Sequence, residues 1–421
     1  MTNNQKSSSE YVTSIVIIGA LFFIFGFITW LNSVLIPFLR QACELTDFQA
    51  YFITFAFYIS YFVMAIPSSI ILNKTGFTKG MSVGLIIMAG GSAVFIPAAY
   101  ARSYPLFLTG LFIQATGMTL LQTASNPYVT ILGPIESAAK RISIMGICNK
   151  MAGMIGIFVL VELLFSDTTT LSEKIQSLSG SELANELDAL ASRVVTPYIV
   201  MTVVLVALGL IVLKAPLPEI NPEKDGAAAD GAAKEKNSVF DFPHLVLGVL
   251  CIFLYVGVEV VAIDTIGLYG QYQGFDLNTA SKLGIYSLFA LVVAYVIGII
   301  VMPKYISQRN ALMLCAIVGF VFTVAAIITS GWVSIGFIVL LSFANALMWP
   351  AIWPLAITNL GRFTKIGSAL LIMGVAGGAL IPLGYGALAD ATNRQMAYVI
   401  ALPCYLYILY YSIKGHKAGQ A

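Results

Sequence analysis

A chain of 421 residues that is 59% hydrophobic and only 10% charged, with a net charge of +2, cannot cover a water-soluble surface, since soluble domains carry about 25% charged residues. Apolar runs of about 20 residues recur from end to end, the length that crosses a bilayer as a helix. Ten-residue alternating segments of the barrel type are absent, so an all-α polytopic membrane protein is predicted.

Residues 1–11 are polar, and the first apolar run, from Val12 past Asn32, is too long for the core of a signal peptide. It is predicted to be retained as the first of twelve spans: 12–36, 48–72, 80–100, 105–132, 143–165, 195–214, 244–269, 281–302, 310–329, 334–360, 367–388 and 395–413. Residues 166–194 are read as a loop, amphipathic in places. The Pro-, Ala-, Gly- and charge-rich stretch 215–243 is read as a linker between an N-terminal six-helix unit, 1–214, and a C-terminal one, 244–421. With a cytoplasmic N-terminus, fifteen of the 22 Lys and Arg residues fall in cytoplasmic segments. That bias places both termini and the linker in the cytoplasm. The five cysteines and two histidines have neither disulfide nor metal spacing, and no catalytic constellation is visible.

The halves echo each other. Lys74/Lys79 and Lys304/Arg309 each set two basic residues five apart, 230 positions from one another. Pro127 and Pro354 are 227 apart, Gly133 and Gly361 are 228 apart, and Met145-Gly146 repeats as Met373-Gly374 at 228. A pair of related six-helix halves is the architecture of a major facilitator transporter, with a solute site between the halves near the midplane.

Polar residues inside the spans point to that site. Gln122 and Asn126 lie four apart on one helical face beside Pro127. Asn345, Trp349 and Trp353 form an i, i+4, i+8 stripe beside Pro350 and Pro354, and Thr29, Asn32 and Ser33 share a face in span 1. Asn149 and Lys150 lie about eight residues, roughly 12 Å, inside span 5. Amides beside indole faces suit a neutral polyhydroxylated ring, whereas a carboxylate solute would call for an intramembrane arginine, and none is found in the spans. Each amide could equally join two helices by a hydrogen bond. Intramembrane ionisable residues are costly, so functional use is the default reading. Of Lys150, Glu162, Glu259 and Asp264, Glu259 is the preferred ion-coupling residue. Asp264 is five residues on, rotated about 140° on a straight helix, and Glu162 is close enough to the outer end to reach the interface.

The stretches "FFIFGFITWLNSVLIP", "LQTASNPYVTILG", "ICNKMAG", "YVGVEV", "MWPAIWPLAITNLG" and "GSALLIMGVAGGALIP" resemble the fucose–galactose–glucose:proton symporter family of the major facilitator superfamily, closest to its bacterial glucose/galactose branch. The resemblance covers most of the chain. It implies rocking of two halves, hexose binding at their interface and cotransport of a cation. Two departures stand out. Fucose-type members read Asn-Asp-x-Leu-x-Pro in span 1, where this chain has Asn32-Ser33-Val34-Leu35-Ile36-Pro37, and they carry a glutamate in span 4 where this chain has Gln122. Serine and glutamine do not exchange protons near neutral pH. Coupling then falls to Glu259, with Asp264 or Lys150, or to sodium, for which Ser33, Gln122 and Asn32 offer oxygen ligands, or is absent. The expectation is secondary active uptake of a neutral hexose across the inner membrane by a monomer in the lipid bilayer. Its partner would be a small-molecule sugar, with no nucleic acid and no cofactor beyond H+ or Na+. The alternatives are an uncoupled uniporter, a carrier of another neutral polar solute, or a sugar sensor built on a transporter fold.

Overall fold

In hydrocarbon no water satisfies an open backbone, so each apolar run closes its own hydrogen bonds as a helix. The structure, a computed structural model, describes residues 8–131, 138–165, 178–215, 238–302, 305–360 and 363–419. Among these residues there is no strand. Twelve helical spans are long and apolar enough to cross a membrane: Thr13–Ala42, Asp47–Leu72, Phe77–Tyr100, Tyr104–Ser125, Ile144–Phe165, Gly180–Lys214, Pro243–Asp264, Leu277–Val301, Gln308–Ile328, Gly331–Ile357, Ile366–Ala391 and Met396–Ile413, numbered 1 to 12 below. Most of the central stretch 215–243, with Gly133, Lys304, Gly361 and Arg362, lies outside the described residues.

Several spans are bent where an unbroken run is predicted. Span 1 is interrupted at Leu31, between helices Ser8–Trp30 and Asn32–Ala42. Span 7 stops at Asp264, and a short helix, Ile266–Tyr272, continues from it. Span 10 breaks between Asn345 and Met348. The cause is Pro350, which lacks an N–H and whose ring clashes with the carbonyl four residues back, that of Ala346. The expected loop after span 5 also differs: its Gly180–Ser192 part is a helix that buries Leu187, Leu190 and Ala191, an apolar face at helical spacing.

The packing repeats in the two halves. Spans 1 and 5, 2 and 4, 3 and 4, and 3 and 6 pack together, and so do their counterparts 7 and 11, 8 and 10, 9 and 10, and 9 and 12. The closest approaches match as well. A Cβ on Gly26 of span 1 would lie 1.8 Å from the Asn149 carbonyl oxygen of span 5, and one on Gly377 of span 11 would lie 1.7 Å from the Phe253 carbonyl oxygen of span 7. The halves meet where span 5 packs against span 8, span 2 against span 11, and the second part of span 1 against span 7 and its short continuation.

On the side opposite the two described chain ends, the seams are tied by charge. Arg394 donates from Nε to Asp47 Oδ2 at 2.6 Å and from Nη2 to Oδ1 at 2.8 Å, and Arg40 Nε donates to Oδ1 at 2.6 Å. Asp390 accepts from the backbone N–H groups of Asp47 and Phe48 at 3.0 and 2.9 Å. Across the seam of spans 5 and 8 Lys282 pairs with Glu162, and Asn278 donates to the Phe165 carbonyl at 3.1 Å. Glu162 therefore belongs to the rim, as its place near the span end predicts.

Candidate functional site

Asn149, Lys150, Glu259 and the indole pair come together where spans 1, 5, 7 and 10 converge. Lys150 Nζ lies 3.7 Å from Glu259 Oε1, the two side chains about one-tenth exposed, and so links the halves through an ion pair. The Tyr255 hydroxyl, one turn before Glu259, donates to its Oε2 at 2.8 Å. Lys150 Nζ also sits 4.1 Å from the centre of the Trp30 ring, where the indole quadrupole attracts a cation. The same indole donates from Nε1 to Asn149 Oδ1 at 3.1 Å, and Asn149 Nδ2 donates to the Phe22 carbonyl at 3.4 Å. Gly153 makes this possible: a Cβ there would stand 2.4 Å from Trp30 Cδ1.

On the facing half, Trp349 and Trp353 stack with ring centres 5.4 Å apart, and Tyr255 lies 6.4 Å from Trp349. Both indoles are half-buried. The helix break in span 10 interrupts the predicted stripe, however. Asn345 is fully buried and accepts from the Tyr405 hydroxyl of span 12 at 2.9 Å. It serves a helix–helix contact while Trp349 faces Tyr255 and Trp353 stacks on Trp349. Gln122 of span 4 is half-buried and lies near the Tyr61 hydroxyl of span 2. Tyr61 stacks on Tyr58, whose ring packs against Gly378 of span 11. The side chain of Asn126, further along span 4, lies outside the described residues.

Asn32 and Ser33 directly follow the break in span 1, and Asp264 directly precedes the one in span 7; all three are buried. Ser33 donates to the Trp30 carbonyl at 2.8 Å. Asn32 Nδ2 and both carboxyl oxygens of Asp264 are buried with no hydrogen-bond partner among the described residues. Sequence reasoning passed over Trp30, Tyr58 and Tyr61. Trp30 reads as one more apolar residue of span 1, and its adjacency to Thr29 and Asn32 is the only signal that it faces the interior.

An amide and a cation under one indole, an acid and a phenol opposite, and a stacked indole pair beside them can hold a neutral ring by hydrogen bonds at its edge and apolar contact at its face. Residues 18–384 match the description Major Facilitator Superfamily. The chain belongs to that superfamily. The members that it resembles in sequence are transporters and not enzymes. Among curated members, the glucose/galactose transporter of Brucella abortus biovar 1 (strain 9-941) is 33% identical over 420 residues, covering 99% of this chain and 97% of the relative. The L-fucose-proton symporter of Escherichia coli (strain K12) is 29% identical over 417 residues, covering 96% and 93%. Among solved structures, the superfamily transporter FucP in the outward conformation superposes with a TM-score of 0.70 at 27% identity, covering 96% of this chain and 98% of that one. The fold is thus the major facilitator fold of two pseudo-symmetric six-helix bundles, in a multi-pass membrane protein.

Proposed function

We propose that the protein takes up a neutral hexose of the glucose/galactose class by alternating access, coupled to a cation, either H+ or Na+. Uptake would run across the cell's inner membrane, with both termini and the 215–243 linker in the cytoplasm and the Asp47–Arg394 side facing out. The protein would act as a monomer. The observation that carries this reading is the cluster of Trp349, Trp353 and Tyr255 beside Asn149, Lys150 and Glu259, where the halves meet. The relatives' names support the solute class. Asn149, Lys150, Gln122, Trp349 and Trp353 would touch the sugar, with Asn126 further along span 4. Asn32 and Asn345, both buried, would support the chamber walls. Glu259 would act in coupling through its pair with Lys150.

The test is counterflow of labelled glucose in proteoliposomes, with galactose as competitor. Saturable exchange should be seen, and Trp353→Ala should reduce it at least tenfold while the protein remains folded. Undiminished exchange in that variant would remove the indole pair from the site. Uncoupled uniport is the second reading, favoured by Ser33 and Gln122 at positions where fucose-type members carry acids, and it predicts equilibration without accumulation under any ion gradient.

A further inference from the structure

Asp264 takes no part in the polar cluster described above. It is 0% exposed, and neither carboxyl oxygen has a hydrogen-bond partner or a cation among the described residues. It is the last residue of the Pro243–Asp264 helix, where the partial negative charge of the helix end works against a second negative charge. An ionised carboxylate there would lack water, donor and counter-ion together, the costliest way to bury a charge. The neutral acid is the form that fits this closed state.

Its neighbours give the burial a purpose. Gly267, three residues on, leans on span 1: a Cβ there would lie 3.4 Å from both the Ser33 carbonyl oxygen and Pro37. Asp264 thus ends the span 7 helix three residues before the chain meets span 1 of the other half. The offsets of 227 to 230 that relate the two halves set Asp264 against residues 34 to 37 of span 1, none of which is ionisable. The titratable groups acting on Asp264 are Glu259 on its own helix and Tyr58 of span 2. The nearby charged side chains of spans packed around it are engaged elsewhere: Lys150 with Glu259, Arg40 and Arg394 with Asp47, and Lys282 with Glu162.

We propose that Asp264 carries the coupling proton, gated by the seam between spans 1 and 7. When the far-side contacts open, its carboxylate takes one proton from the outer water and forms an O–H bond. Closure with sugar bound seals the neutral acid in the seam. When the halves part on the inner side, the O–H bond breaks and the proton passes to the inner water past Glu259 and Lys150. This rests on the reading of the protein as a hexose transporter and fixes its ion as H+ and its carrier as a residue of the second half.

The experiment compares glucose counterflow, which needs no driving ion, with glucose accumulation under an imposed proton gradient or sodium gradient, in proteoliposomes. Wild type should accumulate sugar with the proton gradient alone. Asp264→Asn should keep counterflow within about twofold and lose accumulation at least tenfold, together with sugar-induced alkalinisation of the outer medium. Should Asp264→Asn not fold, Asp264→Ser, small and uncharged, takes its place with the same expectation. Accumulation at wild-type level in the folded variant, loss of counterflow along with accumulation, or wild-type accumulation driven by sodium alone would each overturn the proposal. No glucose or galactose counterflow in wild type would overturn the transport reading itself, a result separable from the other three.

Discussion

At the scale of single residues, Trp30 does two jobs that one substitution can separate. Its indole N–H fixes Asn149, and its ring face lies under the Lys150 ammonium. Trp30→Phe keeps an aromatic face and removes the N–H. The lost hydrogen bond has a net worth of about 0.5–1.5 kcal/mol, roughly two- to tenfold in affinity. The apparent KM for sugar should rise by about that factor with little change in turnover, whereas Trp30→Ala should lower turnover as well, because Lys150 then loses its platform. Initial-rate uptake kinetics separate the two, and equal effects of both variants would argue against this division. The contrast with Asn149, Lys150 and Glu259 shows what a sequence makes legible. Amides and charges inside apolar runs announce themselves because hydrocarbon penalises them. An indole carries no such penalty, so its orientation emerges only once Gly153 is seen to leave room for it.

At the scale of helices, the number and approximate limits of the spans follow from length and hydropathy, but their bends do not. Asn345 shows the consequence. Spacing places it on the face of Trp349 and Trp353, yet Pro350 disrupts the turn between them, and Asn345 bonds Tyr405 while Trp349 faces Tyr255. Glycines divide in the same way by context. Gly→Ala within a helix is ordinarily favourable by up to about 1 kcal/mol. A Cβ on Gly336 in span 10 would meet nothing within 4 Å, so Gly336→Ala should leave thermal stability in detergent unchanged or slightly raised. Gly26→Ala would force its methyl to 1.8 Å from the Asn149 carbonyl. Spans 1 and 5 must then separate, at a cost of about 1–3 kcal/mol or more. Gly26→Ala should lower the apparent Tm by several degrees and reduce transport, because Asn149 and Lys150 ride on the displaced span. A Tm equal to wild type would mean that the two helices do not meet as closely as described.

At the scale of the whole molecule, the halves are held together on one side by a cluster built around Asp47, and transport requires that cluster to break and re-form. Arg394 is well suited to it. Burial works against its charge, but the hydrogen bonds and charge of Asp47 outweigh that effect and hold the guanidinium above the ordinary arginine range. Asp47→Asn keeps the shape of the side chain and removes its charge. Losing charge-assisted hydrogen bonds costs the closed state about 1.5–3 kcal/mol, which shifts the balance between open and closed outer sides by roughly 10- to 100-fold. The direction of each consequence follows. Sugar added from outside meets a larger fraction of competent molecules, so apparent outside affinity should rise, up to the inverse of the competent fraction in wild type. Closure, which turnover needs, becomes less favourable, so the maximal uptake rate should fall. Binding measured on right-side-out vesicles, paired with uptake rates in the same preparation, tests both signs at once. A variant whose affinity and rate fall together would show that Asp47 supports the fold rather than the closure.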